Sequence, residues 1–391
     1  MSRLLSYNFW QFRFLLALTV VLASLMLSFM FAEQPGEGRL LAFSLVIGLA
    51  FGVVLQRSRF CFYCMAADYF RERDARGLMA VLVALAVGTL GYHAVFGAFQ
   101  PVPVPGRFPP GAHVGPVSWV LPLGAFIFGI GMAVSGSCVS AHLYRLGEGA
   151  VASVLALAGT LLGFVLGFLC WNTLYLRALQ EAPVLWLPAH LGYGGSLLLQ
   201  LGLLAAVALW LLRGRWPAAP ATTPWQAVFV SRWPAAVGGV LVAFIGVLAY
   251  FRSGALGVTA EIGSIARTTA DAAGLLPARL EGLDGFAGCA TVVKATLLSK
   301  NGVFVLGLVA GALAAALAAG QFRWQWPTWR AAARNFLGGV LLGLGAMVAL
   351  GCTVGTLLSG IMAGAVSGWV FAVFCMAGAW LGWQGRQRWP D

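Results

Sequence analysis

Apolar runs of about twenty residues, each closed by a polar, glycine- or proline-containing break, recur along this 391-residue chain. Runs long enough to cross a bilayer begin near residues 12, 39, 78, 118, 149, 191, 235, 302, 335 and 365. Uninterrupted apolar stretches of that length read as spanning helices, so the pattern predicts an all-α membrane protein with about ten crossings. Behind the first run there is no small-residue cleavage site, which makes it a retained helix and not a signal peptide.

Two of the breaks repeat each other. Residues 124–138 read G-A-F-I-F-G-I-G-M-A-V-S-G-S-C and residues 338–352 read G-G-V-L-L-G-L-G-A-M-V-A-L-G-C. Gly124, Gly129, Gly131 and Cys138 fall on Gly338, Gly343, Gly345 and Cys352 at a single offset of 214 residues. A short amphipathic run follows each break, Val139–Leu146 and Val354–Ile361, and then a glycine (Gly147 and Gly149; Gly364) and another span. That is the outline of a helix pair with a half-helix between, the arrangement that places transporter sites at the membrane midplane. Five crossings separate the helix near 39 from the helix near 235, and an odd number inverts the second half. The expected organisation is therefore an additional N-terminal helix (1–38), a first repeat unit (39–174), an additional helix and proline-rich linker (175–234), and a second, inverted unit (235–391). Re-entrant half-helices from the two units would meet as an hourglass. A fainter match sets Gln56–Cys61 against Phe251–Leu256, with the long stretch 253–301 expected to hold a re-entrant piece and an extramembrane excursion.

Composition agrees: 60% of residues are apolar, 9% are charged, and the mean hydropathy is +0.88. A net charge of +12 would point to nucleic acid in a soluble protein, but here it follows from the preference for positive cytoplasmic loops. With both termini in the cytoplasm, 16 of the 24 Lys and Arg residues fall on that side, including Arg57–Arg76, Arg145, Arg213–Arg232, Arg323–Arg334 and Arg386. The lipid bilayer is thus the expected environment and nucleic acid is not a partner.

Among seven cysteines, Cys170 and Cys375 sit mid-helix, where a free thiol packs as a small hydrophobe. Cys138 and Cys352 differ because they stand at the breaks, beside Gly136 and Gly351. A half-helix N-terminus offers free N–H groups and the positive end of a dipole, which suits a small anion without the deep trap of a lysine or arginine. Cys61, after Arg57 and Arg59, is a third candidate, and Cys289, in the irregular stretch, a fourth. Cys61 and Cys64 form a C-x-x-C, but no second Cys/His pair stands at metal spacing, so no metal or cofactor is expected. The glycines of the repeated motif read mainly as close helix contacts. Arg145 and Glu148, three apart, predict a local ion pair, and Lys294 and Lys300 an anion-attracting rim. No catalytic constellation stands out, and the chain is not expected to be an enzyme.

Leu55–Cys61, Gly129–Cys138 with Tyr144–Gly149, and Gly343–Gly355 resemble the three cysteine motifs of the YeeE/YedE family of bacterial inner-membrane proteins, and the resemblance runs over roughly 40–384. It implies uptake of thiosulfate, a small dianion with a soft terminal sulfur, handed along Cys61, Cys138 and Cys352. It also implies a TusA-like sulfur-carrier protein as cytoplasmic partner. The sequence departs from the motif at Ser137 and Val139–Ala141, and Gly254–Arg267 resembles the selenium-linked YedE branch. A permease for selenium compounds or sulfite is accordingly the alternative substrate reading. A membrane sulfurtransferase with a persulfide on Cys138 or Cys352 is the alternative of another class.

Overall fold

The computed structural model describes residues 2–216, 223, 225–285, 291–294, 296 and 298–388. Cys289 lies outside them. The chain runs α1 (Ser2–Ala32), α2 (Gly38–Ser58), α3 (Phe62–Glu72), α4 (Arg76–Phe99), α5 (Val120–Ser135), α6 (Val139–Gly147) and α7 (Val151–Leu174). There follow α8 (Leu187–Leu211), α9 (Ala235–Ser253), α10 (Val258–Ala272), α11 (Lys300–Ala318), α12 (Trp329–Val348), a π-helical segment Thr353–Gly360, and α13 (Val366–Arg388). Extended backbone makes only isolated bridges among the described residues.

Among the described residues, ten stretches are long and apolar enough to cross a membrane. Each begins close to a run read from the hydropathy pattern; the largest gap is 335 against Trp329. The protein is therefore a multi-pass helical membrane protein, since only helices and closed barrels satisfy their backbone groups within lipid. The half-helices were legible as well: the runs 139–146 and 354–361 become α6 and the π-helical segment. At the level of the elements one expectation fails. Residues 62–72, read as part of a cationic loop, form α3, because Phe62, Tyr63, Met65, Ala66 and Tyr69 make one buried face while Asp68, Arg71 and Glu72 take the exposed one.

From α2 to α7 the order is long, short, long, long, short, long; from α9 to α13, with the π-helical segment as the second short element, it is the same. The pairings follow suit. α2 packs on α11, and α9, in α2's place, packs on α4; α5 packs on α13, and α12, in α5's place, packs on α7. At the centre α5 crosses its own counterpart α12. A Cβ at Gly131 would meet Leu342 and Gly338, and one at Gly124 would meet Ala349 and Gly345. Rising numbers on one helix thus meet falling numbers on the other, and the two run antiparallel.

These close approaches explain the glycine ribs. A Cβ at Gly343 would lie 2.0 Å from the Thr160 carbonyl oxygen, and one at Gly129 2.2 Å from that of Cys375. Without water, helices associate through such backbone-to-backbone packing. α1 and α8 stand outside the paired scheme, α1 against α2 and α11, and α8 against α4.

Candidate functional site

Cys61, Cys138 and Cys352, the predicted thiols among the described residues, each stand where one helix stops and a short one starts. α2 ends through Arg59 at φ 49°, with Phe60 N–H donating to Leu55 O at 3.1 Å. A left-handed arginine costs about 1–2 kcal/mol, and this one turns the chain so that Cys61, extended at φ −135°, caps α3. The Cys64 N–H donates to Cys61 Sγ at 3.4 Å. α5 ends through Gly136 at φ 81°, after which Cys138 is the cap residue of α6. A side chain at Gly136 would press on the Arg386 guanidinium. α12 ends through Leu350 at φ 53°, and Cys352 then caps the π-helical segment, its Sγ accepting from Gly355 N–H at 3.4 Å. At Gly351 a Cβ would lie 1.8 Å from Thr356 Oγ1, so Gly351 gives up its side chain to let that turn close.

The first two breaks meet. Cys138 Sγ lies 3.9 Å from Cys61 Sγ and 3.3 Å from Ser140 Oγ, with Cys61 and Cys138 both fully buried. Cys64, half-buried, sits beside the same break, its Sγ 4.0 Å from Gly136 O, and Arg145 Nη2 donates to that Sγ at 3.3 Å. Cys352 belongs elsewhere. Ser135 touches α12 at Gly338, and Ala349 touches α5 at Gly124. The breaks that follow α5 and α12 therefore lie at opposite ends of the crossing, about 16 Å apart along α5. Thr353, Thr356 and Ser359 are buried around the Cys352 end. A narrow cavity beside them is lined by His113, Gly115, Leu350, Thr356 and Ser367. Burial pushes the His113 imidazole down to about 4, so it is neutral at physiological pH.

Charge is distributed unevenly between these ends. Burial, and then the neighbouring Arg59, push Arg232 below its ordinary value, which marks a cationic rim of Arg59, Arg145 and Arg232 near the paired thiols. The local pair expected between Arg145 and Glu148 is replaced: Arg145 turns to Cys64, and Glu148 accepts from Gln56 Nε2 at 3.1 Å. The same Gln56 amide donates to Gln321 Oε1 at 2.8 Å. The anion-attracting rim expected from Lys294 and Lys300 is also corrected. Lys294 is buried in an ion pair with Glu261 of α10, and Ser299 Oγ accepts from Lys294 at 2.7 Å and donates to Glu261 at 2.9 Å. Lys300 Nζ donates to Ser253 O at 2.9 Å.

Sequence reasoning missed the contacts of Arg145 and Cys64. The only available signal was that both stand in the repeated break regions, α3 and α6, whose counterparts in the second half carry no such pair. Chemically, the arrangement offers weak S–H donors, hydroxyls and helix N-terminal N–H groups at two buried stations, with cations held at one rim. Among the described residues no group of three or more His, Cys, Asp or Glu could hold a metal ion.

The comparisons bear on what such stations serve. A family profile described as "Sulphur transport" matches residues 57–381. The chain is 28% identical over 351 residues to a protein of Escherichia coli (strain K12) named "Thiosulfate transporter TsuA", covering 86% of this chain and 92% of that one. It is 28% identical over 361 residues to a protein of the same name from Spirochaeta thermophila, covering 86% and 96% respectively. A shorter match, 32% over 83 residues and 21% of each chain, joins it to the "Probable transporter YedE" of Escherichia coli (strain K12). With most of its length matched and the cysteine-bearing breaks inside the matched region, the chain belongs to the sulphur transport (YeeE/YedE) family.

Proposed function

We propose that this protein takes up thiosulfate, or a related small sulfur oxyanion, across a bacterial inner membrane by way of two thiol stations. The single observation that carries this reading is the placement of thiols at the N-termini of short helices at both ends of the α5–α12 crossing. Cys138 and Cys61 meet at 3.9 Å at one end, and Cys352 caps the segment at the other. The names of the two long relatives support the substrate, and the paired order of long and short helices supports the inverted repeat.

Charge asymmetry orients the path. The rim of Arg59, Arg145 and Arg232 faces the cytoplasm under the positive-inside preference, with both termini on that side. Substrate then meets Cys352 first and leaves past Cys138 and Cys61, where a TusA-like sulfur carrier receives it. A dianion moving inward against a negative potential loses about 2.3 kcal/mol per charge per 100 mV, so a strongly binding cation at the midplane would halt it. Thiols and helix dipoles hold the anion weakly enough to release it. Gly136 and Gly351 serve by opening the backbone at the two breaks.

Competition in proteoliposomes tests the substrate. Unlabelled thiosulfate should suppress uptake of labelled thiosulfate at the lowest concentration, with sulfite and selenite weaker. Suppression by selenite alone would move the assignment to a selenium permease, and a stable persulfide on Cys138 without uptake would make the protein a sulfurtransferase.

A further inference from the structure

The path as proposed uses Cys61 but leaves Cys64 without a task. Cys64 is half-buried, whereas Cys61 and Cys138 are fully buried. The Arg145 guanidinium donates to the Cys64 sulfur at 3.3 Å, and a cation beside a thiol favours the thiolate through which cysteines react. A partner thiol is at hand, since Cys64 N–H already donates to Cys61 Sγ at 3.4 Å.

Residues three apart on a helix have Cβ atoms about 5–6 Å apart, more than the roughly 3.8 Å of a disulfide. Cys61, however, lies outside the helix in extended backbone, so a small rotation there closes the gap. Disulfide formation would draw the Cys61 sulfur away from its 3.9 Å contact with Cys138.

We propose that Cys64 is a site of oxidative thiol modification, at which a low-molecular-weight disulfide reacts and is resolved by Cys61, giving a reversible Cys61–Cys64 disulfide that closes the path. The Cys64 thiolate attacks one sulfur of glutathione disulfide, forming a mixed disulfide and releasing one glutathione thiolate. Cys61, giving up its proton, then attacks the Cys64 sulfur and releases the second glutathione. Two protein thiols are oxidised and one glutathione disulfide is reduced to two thiols. The modification itself stands on the geometry of the thiols; its closing effect rests on the transport reading above.

The test uses the full chain in proteoliposomes treated with glutathione disulfide and mapped by non-reducing peptide mass spectrometry. The expected result is a Cys61–Cys64 link, loss of thiosulfate uptake, and recovery with dithiothreitol. Cys64→Ser should keep its basal uptake and lose its sensitivity to the oxidant. A Cys61–Cys138 link with Cys64 free would overturn the proposal, as would equal inhibition of Cys64→Ser. Should that variant fail to fold, pulse alkylation of the unaltered protein decides. Cys64 should label before Cys170, which is also half-buried, and prior oxidation should protect Cys64 and Cys61 together. Labelling of Cys64 no faster than Cys170 would overturn it. Because mapping and alkylation do not depend on transport, a Cys61–Cys64 link in a protein that moves no thiosulfate would sink the transport reading and leave the modification standing.

Discussion

The two halves use the same order of long and short helices but fill the starts of the short ones differently. In the first half α3 and α6 bring Cys61, Cys138 and Cys64 together, with Arg145 against the Cys64 sulfur. In the second, the counterpart of α3 is α10, where Glu261, Lys294 and Ser299 saturate one another. The counterpart of α6 keeps one thiol, Cys352, among buried threonine and serine hydroxyls and in a π-helical turn, a conformation often found at functional sites. The shared order of long and short helices thus sets where buried helix ends occur, and side chains decide their chemistry. One end is soft and cationic, one neutral and hydroxyl-lined, and α10 is locked.

The locked element gives the largest expected effect. Glu261→Gln leaves Lys294 charged and buried, a defect worth about 3–5 kcal/mol. Thermal unfolding in detergent should drop accordingly, and Glu261→Met with Lys294→Met should recover most of it. Normal stability with uptake lost would make α10 a working part of the path and break the comparison. Next come the ribs, equivalent in the two halves. Gly129→Ala and Gly343→Ala each force a Cβ onto a facing carbonyl and should cost about 1–3 kcal/mol apiece, read from melting temperature. A large cost at one and none at the other would show that the halves are not packed alike.

Serine separates the two stations. Cys352 stands among hydroxyls, so Cys352→Ser should keep much of the uptake, whereas Cys138→Ser loses its contact with Cys61 and should fall about tenfold further, ~1.4 kcal/mol. Initial rates in proteoliposomes measure this, and equal losses would erase the distinction. The smallest effect is that of pH. His113 is held down to about 4 when folded against about 6.5 when unfolded, so the unfolded chain binds the extra proton between those values. The contribution is intact above about pH 6.5 and is lost as pH falls through that window, about 1 kcal/mol by pH 5.5. His113→Gln should flatten the melting profile there, while Arg145 keeps its charge throughout.

Much of this was legible in the sequence because it is local. Spans follow from runs of apolar residues, and the half-helices after Cys138 and Cys352 follow from glycine breaks that repeat at one offset. α3 was not legible as a helix because it is short, amphipathic and flanked by Arg57, Arg59, Arg73 and Arg76, the composition of a cytoplasmic loop. Nor were the contacts that give the site its character. Arg145 has Glu148 one turn away yet turns to Cys64, 81 residues distant in sequence, and Lys294 finds Glu261 across 33 residues. Local spacing predicts neighbours on one helix; only the packing of separate breaks decides which charge meets which sulfur.

Uptake of labelled thiosulfate by proteoliposomes, with Cys138→Ala and Cys352→Ala variants that fold as well as the unaltered chain, tests the central claim most directly. The account predicts robust uptake by the unaltered protein and its loss in both variants, because each removes one of the two stations. Uptake at an undiminished rate in both variants would contradict it, and the thiols at the helix breaks would then be packing alone.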